Sequence, residues 1–273
     1  MAGDDDKHSV FGDQAGSVAL LWGGRERPSR GPKPALSLER ITRTAMALAD
    51  TGGLGAVSMQ RVAAELDFTK MSLYRYVPGK SELVALMIDT AMGEPPGTPA
   101  PGGPGQDDGG RWRVALRAWA EALTAVYHRH PWLLGAAVGP RVMGPNELGW
   151  TERALAALSD TGLTGGEQLD AVVVVHGHIR TIAEVSASMG LDSARATEPE
   201  QVMSAALNEL LAGRADRFPA LAAAVAGAGT DHTSRNQAWE FGLERILDGL
   251  AAYMGRAQGS AQGVSDGSGP DTP

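Results

Sequence analysis

The chain has 273 residues, a formal net charge of −8 and 43% hydrophobic residues, enough length and apolar content for one large globular domain or two ordinary ones. No stretch approaches the ~20 continuous apolar residues of a membrane helix, and the N-terminus lacks the basic start and apolar run of a secretory signal. The absence of cysteine excludes disulfides, thiolate metal sites and a cysteine nucleophile, which fits a cytoplasmic protein.

Alanine, leucine and glycine dominate and aromatics are only 5%, a composition that suits helices over sheets. Residues 1–34 read as a polar, Gly/Pro-punctuated flexible extension. Its first ten residues, MAGDDDKHSV, look as much like a processing remnant as a natural terminus. Four short helices are expected between Ser37 and Met92. The first places Leu38, Ile41, Ala45 and Leu48 on one face, with Ser37 as N-cap and Gly52-Gly53 beyond its end. In the second, Met59, Val62, Ala63 and Leu66 fall at helical spacing behind Ser58 as N-cap. A turn, Asp67-Phe68-Thr69, leads to a third helix over Lys70 to Val77, and a fourth runs from about Lys80.

The Gly/Pro/Asp-rich stretch 93–110 reads as a flexible loop, since it has too little apolar surface to order itself. Helices are expected beyond it at about 112–129, 146–160, 167–189, 199–212 and 236–255, with shorter pieces near 132–138 and 217–226. The tail 256–273 reads as disordered. Charge is unevenly placed along this layout. Residues 25–80 hold ten basic side chains against five acidic ones, whereas residues 81–273 net −10. A basic segment on an acidic body suggests a polyanionic partner for the first part only.

Two short helices joined by a tight turn, the second amphipathic and basic, form a helix-turn-helix pattern. With Leu73 set as the inward direction and ~100° per residue, Val77 also faces the core, while Met71 and Arg75 point away. Lys70, Ser72 and Tyr74 edge that surface. An arginine can donate two hydrogen bonds to guanine, and a thioether can pack on a thymine methyl. Hydroxyls and lysines more often hold phosphates, the role expected for Tyr74, Ser72 and Lys80, and for Ser58 and Gln60 at the start of the second helix. The bland alternative is an amphipathic helical hairpin with half-buried tyrosines. Arg25, Arg27, Arg30 and Lys33 form a candidate minor-groove arm, equally readable as a solvated tail.

The run VSMQRVAAELDFTKMSLYRYVPGKSELV resembles the N-terminal domain of TetR-type transcriptional regulators. HPWLL and GPNELGWTERALAALSDTGLTGGEQLDAV more weakly resemble the ligand-binding domain of the TetR branch itself. The resemblance implies an all-α homodimer: a helix-turn-helix domain at 35–80, an effector-binding and dimerisation domain at 81–255, and release of a palindromic operator by a small molecule. It implies DNA contacts from Ser58, Gln60, Lys70, Met71, Ser72, Tyr74, Arg75, Tyr76 and Lys80. The long N-terminal extension and the 93–110 loop depart from the family pattern.

Within the second domain, Trp119, Met143, Trp150, His176 and Arg180 are candidate effector contacts, although core packing explains each residue taken singly. His176 and Arg180 lie four residues apart and share one helix face. His176 and His178 point ~160° apart on a helix and make no metal pair. His128-Arg129-His130 reads as a positively charged helix C-terminus. No catalytic set, cofactor fingerprint or metal motif is legible. The broad apolar sides of 167–189 and 236–255 would form a dimeric four-helix interface or bury within the monomer. The expected function is a dimeric DNA-binding regulator, most simply a ligand-released repressor. The alternatives are an activator, a regulator answering to a protein partner and, as a separate class, a helical small-molecule enzyme.

Overall fold

The computed structural model describes residues 15–23, 36–97, 110–139, 141–188, 199–228 and 237–265. These residues are all-α. The first helices are α1 (Ala15–Trp22), α2 (Leu38–Gly52), α3 (Met59–Glu65), α4 (Lys70–Tyr74), α5 (Lys80–Met92) and α6 (Arg111–Arg129). They are followed by α7 (Leu133–Ala136), α8 (Pro145–Leu158), α9 (Gly165–Ser188), α10 (Pro199–Leu211), α11 (Pro219–Ala228) and α12 (Gln237–Ser265). The expected caps form: the Ser37 and Ser58 hydroxyls accept from the Arg40 and Arg61 amides, each at 3.2 Å.

Three elements differ from the sequence expectation. The extension 1–34 contains a helix, α1, which packs on α5 with Ser17 and Leu21 buried. The third expected helix ends at Tyr74 rather than Val77. Pro78 disfavours helical backbone at Val77, and the Tyr76 and Val77 amides both close on the Leu73 carbonyl. The tail expected to be disordered from 256 instead continues α12 to Ser265. The basic arm from Arg25 to Lys33 and most of the 93–110 loop lie outside the described residues.

The chain divides into two compact units, residues 1–101 with 121–156, and residues 102–120 with 157–273. In the first, α5 lies against both α1 and α2, while α3 packs on α2 and α4. Ile41, Ala45, Val62, Leu73, Val77, Leu83 and Met87 are fully buried and form this core. α5 therefore packs with the helices that precede it. Its far end is tied to the start of α8. The buried Asp89 carboxylate accepts from the Asn146 and Glu147 amides at 2.8 and 3.2 Å, and the Asn146 side-chain amide donates to the Asp89 carbonyl at 2.8 Å. The Trp150 indole N–H reaches the Met92 and Gly93 carbonyls, each at 3.1 Å. Arg141 pairs with Glu147 beside this junction.

In the second unit, α9 packs along α12 through Val175, Ile179, Leu243 and Leu247. The His178 ring N–H donates to the Trp239 carbonyl at 2.9 Å. The ring lies so close to Gly242 that a Cβ there would come within 2.2 Å of it. Arg113 and Arg117 of α6 pair with Glu240, Glu244 and Asp248 of α12, and Arg117 also sits over the Trp239 ring.

Asp89→Ala removes the cap of α8 and is expected to cost about 1–2 kcal/mol, read as a lower urea midpoint. Asp89→Asn keeps an acceptor for the two amides without burying a charge, so its loss should be the smaller of the two. Equal losses in both variants would show that the capping geometry is unimportant.

Candidate nucleic-acid interface

The α3–α4 pair is shaped by local chemistry. Leu66 caps the C-terminal end of α3, and Asp67 adopts the left-handed conformation (φ 60°) that short polar side chains tolerate. The Phe68 amide then closes back on the Ala63 carbonyl at 2.9 Å, which satisfies an orphan carbonyl of the helix end. Thr69 starts α4. Its hydroxyl accepts from the Ser72 amide at 3.3 Å and bonds the Ser72 hydroxyl at 2.9 Å.

The inward and outward faces of α4 fall as the helical period requires. Leu73 and Val77 are fully buried, whereas Met71 is 72% exposed and Arg75, the C-terminal cap residue, is also exposed. Tyr74 is exposed on the flank, and the Lys70 ammonium lies 5.5 Å from its ring centroid. Ser72 and Tyr76 are half-buried, and the Ser72 hydroxyl is already engaged by Thr69. Ser58 and Gln60 are exposed at the start of α3. Lys80 is exposed at the first residue of α5, whose Gly79 N-cap makes no side-chain cap bond. Lys70, Met71, Tyr74, Arg75 and Lys80 thus offer an exposed thioether, a phenol and three cations on or beside one five-residue helix.

A polar junction that sequence reasoning missed holds the C-terminal end of α2. The Asp50 carboxylate accepts from both His130 Nδ1 and the Trp132 indole, each at 2.7 Å. His130, expected only as positive charge at a helix end, is buried in this contact. The partners lie 80 residues apart in sequence, beyond the reach of any local pattern.

The effector candidates are placed separately in the two units. Trp119 is buried, while His176 and Arg180 are half-buried on α9, Arg180 pairing with Glu184 at 2.9 Å. In the other unit Trp150 is buried with its indole on the end of α5, and the Met143 carbonyl accepts from the Trp22 indole at 3.0 Å. Burial, with Arg180 nearby, pushes the His176 imidazole below its ordinary range.

Thr69→Ala removes the cap of a helix only five residues long, so it should cost about 1 kcal/mol by denaturant titration. Because that helix presents Met71 and Arg75, the same substitution should weaken duplex binding more than its stability loss explains. The depressed His176 gives a second expectation. The unfolded chain takes up a proton near pH 6.5 while the folded chain resists it, so stability is full above that pH and falls below it. His176→Gln should flatten the decline in unfolding midpoint between about pH 6.5 and 5.

Comparison with known proteins agrees with this geometry. Residues 41–87 match the model for bacterial regulatory proteins of the tetR family, and residues 104–254 match the tetracyclin repressor-like C-terminal domain. The HTH-type transcriptional repressor DrrR1 of Streptomyces coeruleorubidus is 39% identical over 261 residues, covering 93% of this chain and 91% of the relative. Apo ActR from Streptomyces coelicolor superposes with a TM-score of 0.66 at 28% identity, covering 83% of this chain and all of that one. The same regulator has been solved in complex with actinorhodin, where the TM-score is 0.64 at 27% identity, covering 82% of this chain and all of that one. With both of its domains matched and α3–α4 presenting the expected exposed face, the chain belongs to the tetR family of transcriptional regulators and is not an enzyme.

Proposed function

We propose that the protein is a repressor that binds a palindromic operator as a homodimer and is released by a small apolar or aromatic effector. The observation that carries the DNA-reading part is the division of α4 between buried Leu73 and Val77 and exposed Met71 and Arg75. On this reading Met71 and Arg75 address base edges, and Lys70, Tyr74, Lys80, Ser58 and Gln60 address phosphates. Ser72 and Tyr76, half-buried, border the contact. Arg25, Arg27, Arg30 and Lys33 are proposed to enter the adjoining minor groove.

The dimer has independent support in the second unit. Leu169, Val173 and Val174 of α9 and Phe241 and Tyr253 of α12 are exposed. Val174 and Tyr253 also line a groove of about 400 Å³ with Ala171, Ile246 and Leu250. Exposed apolar side chains on both helices, beside a groove that Glu167, Asp170 and Arg245 also line, suit cover by a partner, and two paired helices per subunit suit a four-helix interface. A twofold dimer imposes its symmetry on its binding site, hence the palindrome.

The effector is supported by ActR, solved with actinorhodin, and repression by the relative DrrR1, a transcriptional repressor. Trp119, His176 and Arg180, all in the second unit, are proposed as effector contacts, and Met143 and Trp150 of the first unit are separate candidates.

A gel-shift series on duplexes that the protein selects from a random pool tests the DNA reading. Arg75→Ala is expected to cost about 1–3 kcal/mol on the selected site while binding to random duplex changes little. Lys80→Ala should weaken both alike and reduce the salt slope by about one. Wild-type behaviour from both variants would remove α4 and α5 from the DNA contact.

A further inference from the structure

The matched family region begins at residue 41, so α1 lies wholly ahead of it. It is nonetheless docked within the first unit. Ser17 and Leu21 are buried, and the helix lies along α5. Its two ends meet different elements. At the start, a Cβ on Gly16 would stand 3.4 Å from the Glu82 carboxylate, in the first turn of α5 just after Lys80. At the finish, the Trp22 indole N–H donates to the Met143 carbonyl at 3.0 Å. The residues after Met143 are the ones that Asp89 holds at the other end of α5. From Gly16 to Trp22 is ~9 Å of helix and from Glu82 to Asp89 ~10 Å, so α1 spans α5 almost from the Lys80 end to the Asp89 end.

We propose that α1 is an intramolecular strap: it fixes α5, and with it Lys80 and α4, against the Met143–Glu147 segment, and thereby strengthens DNA binding. This rests on the DNA-binding reading above. The segment AGSVALLW carries no charge and has eight residues, too few for an isolated helix to persist in water. Its helical state therefore depends on docking, and undocking releases it as a unit. α5 would still be held by α2, Asp89 and Trp150, so losing the strap should loosen α5 without unfolding the domain. Trp22 is a positioning residue here: it touches Met143 and bears on DNA through the placement of α5.

The test uses the full chain with Leu21→Asp, which opposes burial on α5, and Trp22→Phe, which keeps an aromatic ring but removes the N–H donor. Hydrogen exchange is followed along α5 and residues 143–147, with affinity measured by fluorescence anisotropy on a duplex that the wild-type chain selects from a random pool. Leu21→Asp is expected to speed exchange in both segments, leave α3 and α4 protected, and weaken selected-duplex binding on the order of tenfold. Trp22→Phe should change the same quantities in the same direction, by less. If Leu21→Asp does not fold, Trp22→Phe decides alone. Unchanged exchange with unchanged affinity would show that α1 does not hold α5. Faster exchange with unchanged affinity would show that docking is structural only and would overturn the strap. If the wild-type chain selects no duplex, the DNA reading itself fails, and the strap's role in binding fails with it; the exchange arm still reports whether α1 restrains α5.

Discussion

The first unit depends on the burial of one carboxylate. Asp89 lies near the end of α5, and burial raises its pKa despite the two amides that donate to it. An unpaired charge there would be untenable, so the start of α8 must remain where its free amides can reach Asp89. Gly144 leaves the necessary room, because a Cβ at that position would lie 2.1 Å from the carboxylate. Arg141 and Glu147 form an ion pair beside it, and Trp150 adds its indole bond to the last carbonyls of α5. The helix that begins with Lys80 is thus fixed at its far end by a contact intolerant of small shifts. Any movement of α8 must be passed to α5 or break these bonds.

Asp50 performs a similar task on α2. A single oxygen accepts both the His130 and Trp132 donors at 2.7 Å, so the end of α2 is registered against the α6–α7 junction. Two helices of the DNA-reading region, α2 and α5, are therefore each secured at the C-terminal end by an aspartate. In both cases the aspartate partners lie more than 50 residues away. Paired anchors constrain orientation as well as distance, which a single hinge contact would not do. This gives a physical route by which residues 130–150 can bear on the placement of α4 without touching it.

What could be read in advance follows the range of the forces involved. Ser37, Ser58 and the face containing Leu73 and Val77 were legible because caps and helical periodicity are local. The early end of α4 was also local, but Pro78 outweighed the apolar spacing that suggested continuation to Val77. Asp89, Asp50 and His130 were illegible as partners because nothing in a sequence window links residue 89 to 146 or 50 to 130. His130 accordingly looked like a helix-end charge. α1 was missed for a different reason. AGSVALLW has no polar face to reveal a period, and its reason for folding is a surface on α5 that only the fold creates.

Charge explains how an acidic chain can use so small a basic surface. At physiological ionic strength the Debye length is about 8 Å, so a phosphate senses the side chains beside it far more than the net charge of the molecule. Lys70, Arg75 and Lys80 are exposed on α4 and the start of α5, while Arg113 and Arg117 are matched by Glu240, Glu244 and Asp248. Cations available to a polyanion are thereby retained around α4, while Arg113 and Arg117 are neutralised by α12. An excess of negative charge elsewhere then serves selectivity. On the proposed reading, it discourages indiscriminate adhesion to duplex by other surfaces and favours approach by the face around Met71 and Arg75. Met71 fits this arrangement because an exposed thioether adds no charge: it can favour a thymine methyl without strengthening binding to every phosphate backbone.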